Sequence, residues 1–214
     1  MARPITQEAR RRDIVDAAIQ ALMAADGDDV SIADVARHLD LTPNAIRYYY
    51  RDVDALLWAV RERAEERFMT GRIAAIAAHA DPREQIVRAM EIGLPNGTDD
   101  AEWRVTFRPV MGGRLNPQFG QMISDVFNLQ VAIYEDLIVA GAESGTFTLA
   151  APAADIARTL MVMEDYLGFR IVAFDPEFTR EVAIRLMRQY AAQLTGSELP
   201  ESVGPGESPV DEPA

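Results

Sequence analysis

The side chains most able to bind a partner through polar chemistry lie in the stretch 42–51. Thr42 and Asn44 are small hydrogen-bonding residues, and Arg47 can fork onto a guanine or grip a phosphate. Arg51 adds a second cation at the end of the stretch. A bidentate base reader beside phosphate-binding groups indicates recognition of double-stranded DNA.

Three tyrosines, Tyr48, Tyr49 and Tyr50, are consecutive in this stretch. Core packing of a small helical unit would explain one of them, but three consecutive helical residues point in three directions. We therefore predict that Tyr50 packs inward with Ile46. The hydroxyls of Tyr48 and Tyr49 are predicted to face the DNA backbone.

Two short helices joined by a tight turn are predicted to position these side chains. Ser31 and Asp34 form an S-x-x-D cap pattern before the first helix, and Thr42 with Pro43 starts the second. This arrangement is a helix-turn-helix, whose second helix fits the major groove of DNA. Ser31 and Pro43 are therefore included among the predicted DNA-contacting residues.

Arginines also cluster at Arg10, Arg11 and Arg12, at the start of a predicted helix over about 6–25. They could contact the flanking DNA backbone, although a solvated helix start explains them nearly as well. Residues 1–52 carry a net charge of −2, whereas the remaining residues carry −11. The acidic remainder would repel DNA except where the arginine-bearing part touches it.

The stretch 31–57, together with the preceding Asp13–Ala18, resembles the DNA-binding domain of TetR-family transcriptional regulators. The strong resemblance covers roughly residues 8–60, and Met163–Leu167 resembles the choline-regulator subgroup. The resemblance implies an all-α fold with a three-helix DNA-binding domain at 1–52. It also implies a helical ligand-binding and dimerisation domain at 53–195.

Three residues depart from the usual pattern of that family. Asp40 stands in the turn where the family usually has glycine, and it adopts a left-handed conformation less readily. Arg47 replaces the usual tyrosine of the recognition helix, and Val53 replaces the usual phosphate-binding lysine. We hypothesise that Arg47 and Arg51 supply the contacts that those two residues would make.

Composition excludes several classes of site. The chain has no cysteine and only two histidines, His38 and His79, which argues against thiolate chemistry, a multi-histidine metal site and a histidine relay. With no visible nucleophile or phosphate loop either, we expect no enzymatic activity, catalytic residue, metal or cofactor. No apolar run approaches the length of a membrane span, so we expect a cytoplasmic protein without a membrane partner.

The region after residue 53 is predicted to be helical as well, with nine helices in total and no strand pattern. Soft and aromatic side chains on its middle helices suit an adaptable cavity for a small-molecule effector, although a plain hydrophobic core explains each one singly. The predicted ligand-binding residues are Met90, Trp103, Arg104, Phe107, Met122, Phe127, Gln130, Tyr134, Met163, Glu164 and Tyr166.

Two carboxylates, Glu164 and Asp165, are adjacent in an otherwise apolar helix. Neighbours on a helix do not share a face, so they are poor candidates for a catalytic pair. One could face a ligand cavity while the other faces solvent or a second subunit. Burying either requires a partner such as Arg104, Arg108 or a cationic ligand.

The last predicted helix carries two apolar rows, one over Val182, Leu186, Tyr190 and Leu194 and one over Ala183, Met187 and Ala191. Two rows require two packing partners, one of which can be another subunit. A homodimer through a four-helix bundle is therefore expected, as the resemblance also implies. Residues 196–214 are rich in Gly, Pro, Ser and acid, and we predict a disordered acidic tail.

These patterns predict a homodimeric regulator that binds operator DNA, with repression relieved by a small-molecule effector. The alternative is a constitutive DNA-binding or partner-binding module without ligand control.

Overall fold

A computed structural model describes residues 6–25, 30–100, 103 and 117–203 of the chain. Within these ranges the protein is all helical, as the sequence predicts. The helices are α1 (Gln7–Ala24), α2 (Ile32–His38), α3 (Pro43–Tyr49), α4 (Val53–Ala77), α5 (Pro82–Gly93), α6 (Pro117–Glu143), α7 (Ala153–Val172) and α8 (Arg180–Thr195). A further helix predicted at about 100–111 lies outside the described residues, except for the helical Trp103.

Local capping fixes the start of the first helices. Ser31 and Asp34 form a reciprocal capping box before α2, because the Ser31 hydroxyl accepts from the Asp34 amide and the Asp34 carboxylate accepts from the Ser31 amide. The Thr42 hydroxyl accepts from the Ala45 amide, and Pro43 occupies the first turn of α3. These caps confirm the predicted starts of the two short helices.

The chain divides into two compact units. Among the described residues, the first contains those up to Phe68 together with Trp103, and the second contains Met69–Asp100 and the residues from Pro117 onward. Ile14, Val35 and Ile46 form the centre of the first core, and the initial turns of α4 complete it. Leu56 and Val60 of α4, which follow the predicted domain boundary at residue 52, are buried in this first core.

Asp40 lies between α2 and α3 with a φ angle of 52°, in the left-handed region. The amide of Leu41 donates to the carbonyl of Ala36 at 3.0 Å, which closes the turn. The departure noted in the sequence thus falls at a position that requires positive φ. Asp tolerates this conformation better than most residues with a side chain.

Replacing Asp40 with valine is expected to lower the free energy of unfolding by about 1–2 kcal/mol, because a β-branched residue fits the left-handed region poorly. Asp40→Gly is the control and should cause no such loss. Urea unfolding followed by circular dichroism measures both variants. Equal stability of the valine and glycine variants would contradict the role of this turn.

The second unit packs α6 against α5 and α7, and α8 against α5 and α7. Its core contains Met90 of α5, Ile138 of α6, Leu160 of α7 and Met187 of α8, all without exposed surface. Of the two rows predicted on the last helix, Ala183, Met187 and Ala191 enter this core. The other row, Val182, Leu186, Tyr190 and Leu194, is half-buried.

The segment 196–203 packs against α5 rather than being disordered. Leu199 and Val203 are buried. The Glu91 carboxylate accepts hydrogen bonds from the Ser202 hydroxyl at 2.7 Å and from the Val203 amide at 2.9 Å. The prediction of disorder from residue 196 onward is therefore corrected for this segment, because one buried acid and two apolar side chains fix it. Residues 204–214 lie outside the described part of the chain.

Across the described ranges, no helix is both long enough and apolar enough to cross a bilayer.

Candidate nucleic-acid interface and buried polar cluster

The outer face of α3 displays the polar residues that the sequence singled out. Thr42, Asn44 and Arg47 are exposed, and Tyr48 is 72% exposed. The Arg47 guanidinium donates through Nη1 to the Asn44 side-chain oxygen at 3.3 Å, so these two side chains form a pair on the surface. A helix with this face has the length and chemistry to enter a major groove.

The inner face of α3 anchors the helix to the first core. Ile46 is fully buried and Tyr50 is 8% exposed, which confirms that both pack inward. Tyr49 is half-buried, and its ring meets the ring of Tyr48 edge-on at 5.1 Å between centroids. Of the two tyrosines predicted to face DNA, Tyr48 is thus the more accessible.

The start of α1 lies beside the end of α3. The guanidinium of Arg11 lies 5.2 Å from the centre of the Tyr50 ring, and the Tyr50 hydroxyl donates to the Arg11 carbonyl at 3.4 Å. Gln7 donates to the Tyr48 hydroxyl at 3.3 Å. Arg12 is exposed, and Arg10 is half-buried near Asp13. The predicted arginine cluster is therefore on the same compact unit as α3.

Arg51 follows α3 with a side chain that is 89% exposed. Its Nε atom lies 2.8 Å from the Asp52 carboxylate, which raises the pKa of the guanidinium. The same carboxylate accepts from the Ala55 amide at 2.9 Å in the first turn of α4. Arg51 therefore carries a permanent positive charge just beyond the exposed polar face of α3, next to the Asp52 carboxylate.

A buried polar cluster occupies the second unit. Arg72 of α4 has no exposed surface, and Glu164 of α7 is 2% exposed. Arg72 donates to both Glu164 oxygens, through Nη1 at 2.8 Å and Nη2 at 2.7 Å. The Tyr134 hydroxyl of α6 donates to Glu164 Oε2 at 2.5 Å. Gln130 and the Ala89 carbonyl accept from the same guanidinium at 3.0 and 3.1 Å.

Electrostatics hold this cluster as a charged pair with a neutral phenol. Burial lowers the pKa of the Arg72 guanidinium, but Glu164 and Tyr134 raise it more strongly, so the net shift is upward. Burial and the Glu164 charge place the pKa of Tyr134 well above its ordinary value. Tyr134 therefore stays protonated and remains a hydrogen-bond donor to the carboxylate.

The partner of Glu164 is the functional residue that sequence reasoning missed. Arg104 and Arg108 were the expected cations, and both lie outside the described residues. Arg72 was detectable in principle, because it is the single charged residue in the apolar end of α4, over 68–78. Its 92-residue separation from Glu164 left no local pattern to connect the two.

The structure brings together some of the predicted ligand-binding residues. Gln130, Tyr134 and Glu164 meet around Arg72, and Met90 is fully buried in the same core. Phe127 and Met163 are half-buried and pack against that core. Arg104, Phe107 and the side chain of Met122 lie outside the described residues.

Two predicted ligand-binding residues fall elsewhere. Trp103 is buried but groups with the first compact unit. Tyr166 is 59% exposed. It follows Glu164 by two positions, which turns it about 200° around the helix. The Tyr166 side chain therefore lies on a different side of α7 from Glu164.

Gly93 makes room for the Glu164 carboxylate at the end of α5. A Cβ atom at this position would lie 2.1 Å from Glu164 Cδ. Gly93→Ala is therefore expected to lower the free energy of unfolding by about 1–3 kcal/mol through overpacking. Gly71→Ala is the matched control, because a Cβ there meets nothing within 4 Å and should stabilise α4 by up to about 1 kcal/mol. Chemical denaturation of both variants tests the contrast, and equal effects would contradict it.

Asp165 has an unusual titration next to this cluster. Burial, with the neighbouring Glu164 charge, raises its pKa from 3.8 to about 7. The folded state therefore binds a proton more tightly than the unfolded chain between about pH 4 and pH 7. The free energy of unfolding is therefore highest, as far as Asp165 is concerned, below about pH 4, and the contribution of this carboxyl is lost as the pH rises toward 7.

Asp165→Asn is expected to gain about 2 kcal/mol over the parent chain at pH 8, and to match it near pH 3, where the carboxyl is largely protonated in both states. Unfolding curves at the two pH values measure the difference. A gain that does not change with pH would show that the carboxylate charge is not its cause.

Within the described residues, no three His, Asp or Glu side chains gather in a group that could hold a metal ion.

Several solved structures are similar to this chain over most of its length. A protein from Saccharomonospora viridis, assigned as a transcriptional regulator and in complex with choline, has a TM-score of 0.75 and 24% identity, covering 86% of this chain and 96% of its own. A TetR transcription regulator from Haloarcula marismortui also has a TM-score of 0.75, with 21% identity and coverage of 87% and 98%. This chain has the TetR-family fold.

A fatty acid degradation regulator from Bacillus halodurans is also similar in structure, with a TM-score of 0.65 and 15% identity, covering 83% of this chain and 95% of its own. No model of a known protein family matches the sequence, and no curated protein sequence matches it. The sequence resemblance is strong only in residues 8–60, whereas the structural similarity covers 86–87% of the chain. The fold therefore supports the resemblance.

Proposed function

We propose that the protein is a DNA-binding transcriptional regulator that works as a homodimer and answers to a small-molecule effector. The observation that carries the proposal is the two-sided character of α3. Its inner face is anchored by Ile46 and Tyr50, and its outer face offers Asn44, Arg47 and Tyr48 to solvent. The TetR-family fold around it supports the same function.

Two such helices are needed for a pseudo-palindromic operator, which favours a two-fold dimer. The half-buried row on α8, together with Val162 and Tyr166 on α7, which are 54% and 59% exposed, supports an interface formed by these two helices. Packing them against their copies would remove this apolar surface from water. Sedimentation equilibrium should give twice the monomer mass.

Direct DNA binding is the test of the proposed function. Fluorescence anisotropy with a labelled pool of random duplexes at low ionic strength should show binding that weakens steeply as salt is added. A chain that stays monomeric and binds no duplex at low salt would overturn the proposal.

Ligand control is proposed for the second unit, where the predicted effector residues Gln130, Tyr134 and Glu164 converge. An effector can change DNA binding only if it binds one conformation of the protein more tightly than the other. Here the preferred conformation would be the one that releases the operator. The choline held by the Saccharomonospora viridis protein raises choline as a first compound to test. In this chain, however, Glu164 is already neutralised by Arg72.

The second candidate is a constitutive DNA-binding module without ligand control. The Arg72–Glu164 ion pair favours it, because the carboxylate already has a cationic partner within the chain. A thermal-shift screen separates the two. Compounds that both stabilise the protein and release DNA support effector control, and a screen without such compounds supports the constitutive module.

A further inference from the structure

The acceptors around Arg72 come from three helices other than its own. Glu164 of α7 offers both carboxylate oxygens, Gln130 of α6 offers its amide oxygen, and Ala89 of α5 offers its backbone carbonyl. The ring of Tyr134 adds an aromatic face 5.1 Å from the centre of the guanidinium. Arg72 and these four residues all belong to the second compact unit.

A carboxylate, two neutral carbonyl oxygens and an aromatic face make up the chemistry of a receptor for an organic cation. Two features other than Arg72 position the carboxylate: the Tyr134 hydroxyl donates a 2.5 Å hydrogen bond to Glu164, and Gly93 leaves space for it. We propose that α5, α6 and α7 form a binding site for a guanidinium or a similar small organic cation, and that the chain fills this site with its own Arg72.

The tether explains why a free cation does not take the site in the parent chain. A side chain attached to the same fold competes at an effective concentration on the order of millimolar or above. The displaced guanidinium would also have to leave its buried partners. Removal of Arg72 therefore opens the site, and what remains is a buried carboxylate that has lost its cationic partner among the described residues.

Rescue by a free cation tests this proposal. The Arg72→Ala variant is compared with the parent chain by thermal unfolding in about 50 mM methylguanidinium chloride or in sodium chloride of equal ionic strength. We expect methylguanidinium to raise the melting temperature of the variant by about 3–5 °C and to leave that of the parent chain unchanged. Isothermal titration should show saturable binding to the variant alone.

The double variant Arg72→Ala/Glu164→Gln keeps the cavity but removes the carboxylate charge. It should show no response specific to methylguanidinium, and a response equal to that of Arg72→Ala would overturn the proposal. So would equal behaviour of Arg72→Ala in the two salts.

If Arg72→Ala does not fold by itself, it is refolded from urea in each salt. Recovery only with methylguanidinium supports the site, and equal recovery or equal failure overturns it. Neither readout involves DNA, so a negative result here is distinguishable from failure of the proposed function.

Discussion

Replacing Glu164 with leucine is expected to lower the free energy of unfolding by about 3–5 kcal/mol. The substitution leaves the Arg72 guanidinium in a buried position without the carboxylate that neutralises it. It also removes the acceptor of the Tyr134 hydroxyl. In the folded parent chain, the guanidinium and the hydroxyl bind this carboxylate instead of water. In the variant nothing replaces the carboxylate, so the cost of burying both groups is no longer offset.

The matched control is the double substitution Arg72→Met/Glu164→Leu, which replaces the ion pair with apolar side chains of similar volume. Such replacements are often neutral or stabilising, so the double variant should recover most of the lost stability. Urea unfolding measures all three proteins. A single variant within about 1 kcal/mol of the parent chain would contradict the structural role of the pair.

Arg47→Ala is expected to weaken binding to a specific operator by about 30-fold to 10,000-fold. Each lost bidentate contact to a guanine costs about 1–3 kcal/mol, and a dimer loses one contact in each half-site. The loss should be greatest for operators that carry a guanine at the contacted position. Non-specific DNA binding should fall much less, because it depends on phosphate contacts.

Arg51→Ala and Arg158→Ala provide the comparison for Arg47→Ala. We propose that Arg51 contacts a phosphate. Its loss should then weaken binding to all duplexes and reduce by about one the number of counterions released on binding. Arg158 is an exposed arginine of the second unit, and its loss changes the net charge equally. Unchanged affinity and salt dependence for both Arg47→Ala and Arg51→Ala would refute their roles in DNA binding.

Local sequence patterns were sufficient to predict the fold of the first compact unit. The caps at Ser31 and Thr42 depend on residues three positions away, and the burial of Ile46 and Tyr50 follows from helical periodicity. The need for a left-handed residue at Asp40 was likewise visible as a departure from a known pattern. Short-range physics determines all of these features.

Contacts between distant residues were not predictable in the same way. Arg72 and Glu164 are 92 residues apart, and Glu91 is 112 residues from the amide of Val203 that it accepts from. A composition rich in Gly, Pro and acid indicated disorder for the segment after α8, but two apolar side chains and one buried carboxylate were enough to order its beginning. Only tertiary packing decides which acid is buried and which cation neutralises it.

We propose that α3 reads DNA and that a symmetric dimer presents it twice. Selection of bound sequences from a random duplex library is the decisive experiment. We expect enrichment of two inverted half-sites with centres about one helical turn, or a multiple of it, apart. Arg47→Ala should lose the preference at one position in each half-site. Failure to enrich any sequence, or enrichment of a single unpaired site that Arg47→Ala leaves unchanged, would contradict it.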